Sequence, residues 1–373
     1  MILKSLTLTN FRNYKSLNLD WNPGINMIYG SNAQGKTNLL EGIYFLSAFS
    51  SFRHCSKEEI IKKGADYFFI SGEFAAGGIN HTLKTAYSLK KKYVLKSDGN
   101  VIHRLSDMIG LLNTVVFSPD DLFMIKGNPD ERRSFLDGEI IQMSPKSYVY
   151  FQKYQKILRQ RNNILKEMRE GKKNKEVLKA FDIQLAECGT YILFQRKEAI
   201  DRLLPLTRLC HRKITGGKEE LILEYKGGLE VIDPILYKKA DIKLWQEAYS
   251  EILKERLPMD IARGNTSFGP HRDDIIFYVN GDNVKKYGSQ GQQRTATLAL
   301  KIAELELMKG QRGEYPILLL DDVLSELDAK RREALIGVVN EKVQTFITGT
   351  KSQDFMGNCS SFYVENGLLK KDK

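Results

Sequence analysis

Two glycines, a lysine and a threonine stand at fixed spacing in residues 30–37, and this stretch constrains the fold more than any other. It fits the pattern G-x-x-x-x-G-K-[ST] and consists of Gly30, Ser31, Asn32, Ala33, Gln34, Gly35, Lys36 and Thr37. The glycines allow a tight turn whose backbone N–H groups face phosphate oxygens. The Lys36 ammonium can reach the β- and γ-phosphates, and the Thr37 hydroxyl can bind Mg²⁺.

The segments on either side of this stretch support a phosphate-binding loop. Residues 25–29 form an apolar, strand-like run, and residues 38–49 have the composition of a helix. A helix that begins at the loop adds the partial positive charge of its N-terminus to the site. The strand–loop–helix order therefore predicts a site for ATP and Mg²⁺, in which the nucleotide is bound by the loop and by Asn38.

Length and composition limit the class of protein. A chain of 373 residues with 42% hydrophobic and 28% charged residues is typical of a soluble globular protein with one large or two modest domains. No apolar run approaches the roughly 20 residues that span a bilayer. Residues 1–8 alternate like a strand and lack the long apolar region of a signal peptide. We therefore expect a cytoplasmic protein without membrane association.

Charge and cysteine content narrow the partners and cofactors. The formal net charge of +11 indicates a polyanionic partner, either nucleic acid or an acidic membrane face. The four cysteines form no C-x-x-C pair, and the five histidines show no metal-ligand spacing. Free or buried thiols are therefore expected in place of zinc sites or disulfides.

Residue periodicity predicts an α/β domain interrupted by a helical block. The expected strands are residues 2–8, 25–29, 67–74, 82–89, 93–97, 115–117, 221–225, 275–279, 317–320 and 345–348. Residues 98–100 are expected to form a hairpin turn. Helical spacing from about residue 129 to 205 predicts a hairpin of two helices around a basic turn at 169–175, and further helices are expected at 237–257 and 292–309.

A second motif supplies the carboxylates that a phosphate-binding loop requires. Four apolar residues at 317–320 precede Asp321 and Asp322, which is the Walker B pattern. The first carboxylate of this pattern helps to hold Mg²⁺, so Thr37 and Asp321 are the expected metal ligands. Asp322 stands where one large class of ATPases has a glutamate as general base. Because aspartate is one methylene shorter, we expect slow turnover.

Residues 287–294 resemble the signature loop of the ABC ATPase superfamily, since they contain S-x-G-Q directly before the predicted helix. The resemblance implies that the Ser289 hydroxyl and the Gly291 N–H cap the γ-phosphate bound on a second subunit. Residues 325–328 are similar to the D-loop of that superfamily, which lies at the dimer interface. Lys36, Asp322 and Ser289 are therefore the expected catalytic residues.

Longer stretches, spread over the whole chain, resemble the RecF family of bacterial recombination-repair ATPases, which have an SMC-like head. The similar stretches are residues 11–14 (FRNY), 119–137, 268–274 (FGPHRDD) and 322–335. The resemblance implies an ABC-type P-loop ATPase head. Its lobe I has a mixed sheet with a β-subdomain and comprises residues 1–117 and 266–373, and an inserted, mainly helical lobe II comprises residues 118–265.

The resemblance also implies a function. Members of this family dimerise with ATP, bind double-stranded DNA at gapped junctions, and act with RecR and RecO in loading recombinase. By analogy with SMC-like heads, Arg12 is expected near the nucleotide and the phosphate-binding loop. The alternative for Arg12 is an exposed salt-bridge residue.

Two departures from the ABC pattern concern hydrolysis. The switch histidine expected after the last core strand is absent, and Thr348, Gly349 and Thr350 stand there. The Q-loop glutamine is not evident at residues 117–121. Two alternative functions share some of the motifs, namely the nucleotide-binding subunit of an ABC transporter and a scaffold that binds ATP without meaningful hydrolysis.

Basic residues in the helical block are candidates for DNA contact, because phosphate contacts need no sequence readout. These candidates are Lys153, Arg159, Arg161, Lys172, Lys173 and Lys175. The alternative for each is a solvated helix face or turn. Arg132 and Arg133 are as plausibly salt-bridge partners between the lobes. His271 is either a γ-phosphate sensor or a hydrogen-bonded histidine in a turn.

Overall fold

The structure, a computed structural model, describes residues 1–53, 55–90, 92–172, 175–228, 241–339, 342–351 and 359–372. The chain divides into two compact units. The first unit contains Met1–Leu122, Leu206–Glu219 and Arg294–Lys373, and the second contains Phe123–Pro205 and Glu220–Gln293.

Fifteen strands lie in the described residues. In chain order they are β1 (Ile2–Phe11), β2 (Tyr14–Asp20), β3 (Ile25–Tyr29), β4 (Tyr67–Ala76), β5 (Ile79–Ser88), β6 (Lys92–Ser97), β7 (Asn100–Ile102), β8 (Thr114–Phe117), β9 (Leu221–Lys226), β10 (Asp274–Val279), β11 (Asp282–Asn283), β12 (Ile317–Leu320), β13 (Thr345–Gly349), β14 (Ser360–Glu365) and β15 (Leu368–Lys371).

The α-helices of the described residues range from one turn to 41 residues. They are α1 (Lys36–Ala48), α2 (Lys57–Ile60), α3 (Phe123–Lys126), α4 (Pro129–Met143), α5 (Pro145–Arg169), α6 (Lys175–Thr215), α7 (Ile242–Arg263), α8 (Val284–Tyr287), α9 (Gln290–Arg312), α10 (Val323–Glu326) and α11 (Ala329–Val338). Within the described residues, no helix is both long enough and apolar enough to cross a membrane.

A six-stranded antiparallel sheet in the first unit has the strand order β2-β1-β4-β5-β6-β7. Alternating burial along β1 places Leu6 and Leu8 in the core, as expected for a strand with one covered face. The predicted turn between β6 and β7 is confirmed, with positive φ at Asp98 and Gly99. Strand β2 was not predicted, because residues 14–20 are largely polar and show little alternation of apolar residues.

The other sheet of the first unit has the order β15-β14-β3-β13-β12-β8, and its strands β14, β3, β13, β12 and β8 pair in parallel. All residues of β12 and β13 are buried, which fits the continuous apolar character of a covered parallel strand. Trp21 packs edge-on against Phe346 and Phe362 in the core beside this sheet. The parallel pairing brings the carboxyl ends of β3, β12 and β13 to the same sheet edge.

The second unit is mainly helical and also contains a small antiparallel sheet of order β11-β10-β9. Helices α5 and α6 form the predicted hairpin, with Ile164 and Leu165 packed against Leu178. Helix α7 was expected to begin at residue 237, and residues 237–240 lie outside the described part. It continues through Pro258 and ends at Arg263, where Gly264 takes a positive φ of 66°.

The compact units differ from the predicted lobes. Residues 266–293 belong to the second unit, although the prediction assigned them to lobe I. The physical reason is strand pairing, because β10 hydrogen-bonds along its whole length to β9. Residues 206–219 belong to the first unit, and the first boundary lies after Leu122 instead of residue 117. Periodicity identifies a strand but not its partner, so it could not give these boundaries.

Arg161 lies inside the second unit and not on its surface. Its side chain is 0% exposed and forms ion pairs with Asp182 at 2.6 Å and with Asp260 at 2.8 Å. The Thr266 hydroxyl accepts a further hydrogen bond at 2.8 Å. The expectation that Arg161 contacts DNA is therefore wrong, because a buried guanidinium paired with two carboxylates cannot reach a phosphate. Lys173 lies outside the described residues.

Three further residues for which the sequence allowed a functional role, Arg132, Arg133 and His271, have partners inside the unit. Arg132 forms a bidentate ion pair with Asp274 of β10, and Arg133 donates to the carbonyl of Asp273, the residue before β10. Both ring nitrogens of His271 are hydrogen-bonded, to the Tyr154 hydroxyl at 2.7 Å and to a backbone carbonyl at 3.1 Å. Burial lowers the pKa of His271 to about 4. It is thus a neutral, hydrogen-bonded histidine in a turn.

We predict that Arg161→Ala destabilises the protein strongly, because it leaves the fully buried Asp260 carboxylate without its partner. Removing one member of a buried ion pair costs about 3–5 kcal/mol of unfolding free energy. Thermal unfolding followed by circular dichroism would measure the effect as a fall in Tm. The control is Arg159→Ala two residues away, which removes an exposed guanidinium and should change stability by less than about 0.5 kcal/mol. Equal Tm values for the two variants would contradict this account.

Candidate nucleotide-binding site

The loop from Gly30 to Thr37 joins β3 to α1, as the sequence predicts. Gly30 and Gly35 have positive φ values of 153° and 115°. A Cβ at Gly30 would overlap the Val364 carbonyl oxygen, and a Cβ at Gly35 would overlap the Asn13 side chain. Glycine is therefore required at both positions by conformation and by space.

The Lys36 side chain folds over this loop. Its ammonium is buried and donates to the carbonyl oxygens of Gly30 at 2.8 Å and Ser31 at 3.1 Å. An ammonium group has three N–H donors, so one remains for a phosphate oxygen in addition to these two bonds. The arrangement holds a positive charge at the loop before any anion is bound.

The metal ligands expected from the sequence, Thr37 and Asp321, are in contact. The Thr37 hydroxyl donates to Asp321 Oδ1 at 2.9 Å, although the two residues are far apart in the chain. Neighbouring ligands of an octahedral Mg²⁺, with bonds of about 2.1 Å, lie about 3.0 Å apart, so the observed spacing fits such an ion. Within the described residues there is no cluster of three or more His, Cys, Asp or Glu that could hold a metal. One carboxylate, one hydroxyl, water and phosphate suit Mg²⁺.

Thr348 links the two aspartates that follow β12. Its hydroxyl donates to Asp321 Oδ1 at 2.9 Å and accepts the N–H of Asp322 at 2.8 Å. Asp322 has a positive φ of 51°, a conformation that non-glycine residues adopt rarely. Burial raises the pKa of Asp321, and the hydrogen bonds from the Thr37 and Thr348 hydroxyls oppose that rise. Thr348 occupies the place where the sequence lacks a switch histidine, and it was not predicted as a site residue.

A cavity of about 800 Å³ opens beside the loop. The residues that line it are Arg12, Asn13, Asn32, Ala33, Gly35, Lys36, Thr37, Asn38, Arg53, Glu59, Ile61, Lys62, Lys63 and Asp322. Five of these side chains are basic and two are acidic, an excess of positive charge that suits a triphosphate. Arg53, Lys62 and Lys63 were missed by the sequence analysis, because they follow no motif.

Arg12 lies beside the loop, as expected, and is also a salt-bridge residue. Its guanidinium forms a bidentate pair with the fully buried Glu41 of α1, at 2.8 and 2.6 Å, and donates to the Glu59 carbonyl at 2.9 Å. The hydrogen bonds with Glu41 raise the pKa of Arg12. Arg12 is therefore a salt-bridge residue that is partly buried and not exposed, and its contact with a nucleotide stays a prediction.

Distant segments brace the loop from behind. Asn13 donates to the Gln34 carbonyl at 2.8 Å and accepts a bond from Asn38, and the buried Tyr14 hydroxyl donates to the Gly35 carbonyl at 2.9 Å. The Gln34 side chain accepts the N–H of Asn366, in the turn between β14 and β15, at 2.7 Å. Because that side chain is engaged there, Gln34 can contribute to the site through its backbone.

Ser289 and Gly291 lie together at the N-terminus of α9, where the first residues of the helix belong to the second unit. The Ser289 hydroxyl accepts the N–H of Gln292 at 3.2 Å, and the Ser289 N–H donates to the Gln292 side chain at 2.9 Å. This reciprocal pair is a capping box. Ser289 is exposed, so its hydroxyl stands at the positive end of a long helix.

Comparison with known proteins shows which family the chain resembles over its whole length. The family model described as RecF/RecN/SMC N terminal domain matches residues 2–366. The DNA replication and repair protein RecF of Natranaerobius thermophilus is 41% identical over 379 residues, which cover 100% of this chain and 98% of that protein. The RecF protein of Halalkalibacterium halodurans is 42% identical over 376 residues, which cover both chains completely.

Solved structures agree with these matches. The recombination mediator protein RecF with ATP, in the RecFOR pathway, has a TM-score of 0.92 at 34% identity over 100% of this chain and 98% of that one. An Smc head bound to the C-terminal winged-helix domain of ScpA has a TM-score of 0.56 at 14% identity over 100% and 98%, and shares the fold. The predicted α/β ABC-type ATPase head is therefore confirmed. The chain belongs to the RecF family.

Proposed function

We propose that this protein is an ATP-dependent DNA-binding protein of recombinational repair. The observation that carries the proposal is the 2.9 Å contact between Thr37 and Asp321, which joins the phosphate-binding loop to the Walker B strand beside a basic cavity of about 800 Å³. Relatives at 41–42% identity are DNA replication and repair proteins, and a similar solved structure contains ATP. In this proposal the protein acts in the cytoplasm.

The residues of the cavity have separate roles in this proposal. The loop N–H groups and Lys36 bind the β- and γ-phosphates, while Arg53, Lys62 and Lys63 offset the remaining negative charge. Thr37 and Asp321 would hold Mg²⁺, which would supply positive charge to neutralise the phosphates. The residues present fit that ion in donor type and spacing.

Asp322 is the proposed general base. It lines the cavity, and the Thr348 hydroxyl holds its backbone N–H. A carboxylate on a one-carbon stem reaches less far toward an attacking water than a glutamate does. Slow hydrolysis follows, and slow hydrolysis suits a switch that stays in its ATP-bound state long enough to act on DNA.

Ser289 and Gly291 give the proposed link between ATP and assembly. A serine hydroxyl at the exposed N-terminus of α9 is suited to a γ-phosphate, because the helix dipole favours an anion there. In the proposed dimer each copy supplies this end to the nucleotide of the other. The dimer then binds double-stranded DNA at gaps and acts with RecR and RecO, as the RecFOR pathway of the similar structures suggests.

The experiment that tests the proposal is fluorescence anisotropy of a short labelled duplex, titrated with protein at physiological salt and with ATP, ADP or no nucleotide. We expect tight binding with ATP alone and weaker binding as salt is raised, because phosphate contacts release counterions. Binding that is absent, or equal under the three conditions, would overturn the ATP-gated function.

Substitution of Thr348 tests the arrangement of the two aspartates. Thr348→Val keeps the shape but removes the hydroxyl that bonds both Asp321 and the Asp322 N–H. The loss of about 1.5 kcal/mol of hydrogen bonding should lower the turnover number for ATP about tenfold. ATP affinity, measured with a fluorescent analogue, should change much less. Thr348→Ser is the matched control and should retain activity, whereas a fully active valine variant would refute this role.

Substitution of Ser289 tests the proposed contact in trans. Ser289→Arg places a bulky cation at the end of α9, and we expect it to abolish ATP-induced dimerisation. Because Ser289 is exposed and caps its own helix, ATP binding to the monomer should remain intact. Analytical ultracentrifugation and a nucleotide-binding assay separate the two effects. Loss of ATP binding by the monomeric variant would count against a role in trans.

A further inference from the structure

Helix α5 carries more than half of the excess positive charge of the chain. Its 25 residues contain seven basic residues and one acidic residue, a formal charge of +6 out of the total of +11. Helix α7 of the same unit provides a comparison, because it has four basic and four acidic residues. Helix α7 is thus balanced in charge, and α5 is not.

Six of the seven basic side chains of α5 are exposed, and we call them the α5 basic stripe. They are Lys146, Lys153, Lys156, Arg159, Lys166 and Arg169. At 100° per residue, the first five fall within about 160° of the helix circumference. In the described part of the chain, none of the six lies within ion-pair distance of a carboxylate, whereas the buried Arg161 pairs with two.

An aromatic pair orders the beginning of this stripe. The rings of Tyr150 and Tyr191 are stacked, with centroids 4.0 Å apart and planes inclined by 19°. The Lys146 ammonium lies 5.8 and 5.4 Å from the two ring centroids, and the Lys153 ammonium lies 5.9 Å from that of Tyr150. Cation–π contacts restrict these long side chains while leaving their charge uncompensated. The stripe therefore presents partly ordered positive charges to an anion.

The dimensions of the stripe fit a regular polyanion. From Lys146 to Arg169 the helix rises about 35 Å, at about 1.5 Å per residue. One turn of double-stranded DNA rises about 34 Å. We propose that the α5 basic stripe binds the phosphate backbone of double-stranded DNA without reading its sequence. This proposal rests on the proposed function and specifies where on the protein the duplex is bound.

The test is charge reversal in the middle of the stripe, with the Lys156→Glu and Arg159→Glu changes combined in the full chain. Duplex binding is measured by anisotropy with ATP over a series of salt concentrations. We expect the affinity to fall at least tenfold, and the slope of log K against log salt to fall in magnitude by about 2, since each phosphate contact contributes about 0.9. Both residues are exposed, so an unchanged Tm should accompany the loss.

The matched control places the same change of net charge on the balanced helix of the same unit. Lys243→Glu combined with Lys254→Glu alters two exposed lysines of α7, and should retain the wild-type salt slope. The assignment of DNA binding to the α5 basic stripe would be wrong if the stripe variant kept the wild-type affinity and slope, or if the control lost as much. Either result would leave ATP-gated DNA binding in place.

Two further outcomes concern the partner. Failure of the wild-type protein to bind duplex at all would overturn the proposed function and the stripe's assignment to DNA together. Anionic phosphatidylglycerol vesicles serve as a second probe in the same assay. If the stripe variant lost vesicle binding but retained duplex binding, the stripe would be a membrane-binding surface and the DNA proposal would be wrong.

Discussion

The parallel pairing of β3, β12 and β13 is the constraint on which the candidate site depends, because it brings the ends of three buried strands to one sheet edge. At this edge a single oxygen, Asp321 Oδ1, accepts hydrogen bonds from the hydroxyls of Thr37 and Thr348, each at 2.9 Å. Two hydroxyl donors stabilise the charged carboxylate against the burial that raises its pKa. Thr37 and Asp321 would hold a cation in place of the hydrogen bond between them, and the bond from Thr348 would still position the carboxylate.

The hydrogen bonds that hold the phosphate-binding loop do not use the backbone N–H groups that bind phosphate. Asn13 and Tyr14 bond the carbonyl oxygens of Gln34 and Gly35, and the Gln34 side chain is bonded to Asn366. These bonds use carbonyl groups and one side chain, not the loop N–H groups that a phosphate requires. Asn13 and Tyr14 lie far in the sequence from Asn366, so the loop conformation depends on contacts between distant segments.

The sequence predicts the site best where function demands contiguous residues, as in the loop from Gly30 to Thr37 and in the buried strand before Asp321. It could not give Arg53, Lys62 or Lys63, since tertiary packing alone brings them to the cavity. Strand pairing likewise decides that residues 266–293 belong to the second unit. In these cases the information lies in contacts between segments, which periodicity does not record.

Arg159 and Arg161 look alike in the sequence, but Arg159 is exposed and Arg161 is buried. Two positions apart on a helix, their side chains point in directions about 160° apart. Arg161 shares the side of the apolar residues, including Leu165, and its charge is cancelled by Asp182 and Asp260. Arg196 is similarly paired with Asp137. Because these buried arginines are paired with carboxylates inside the protein, their positive charge is not available to a ligand at the surface. The outward-facing residues of α5 have no such partners in the described part of the chain, and the excess positive charge is therefore concentrated where a polyanion can reach it.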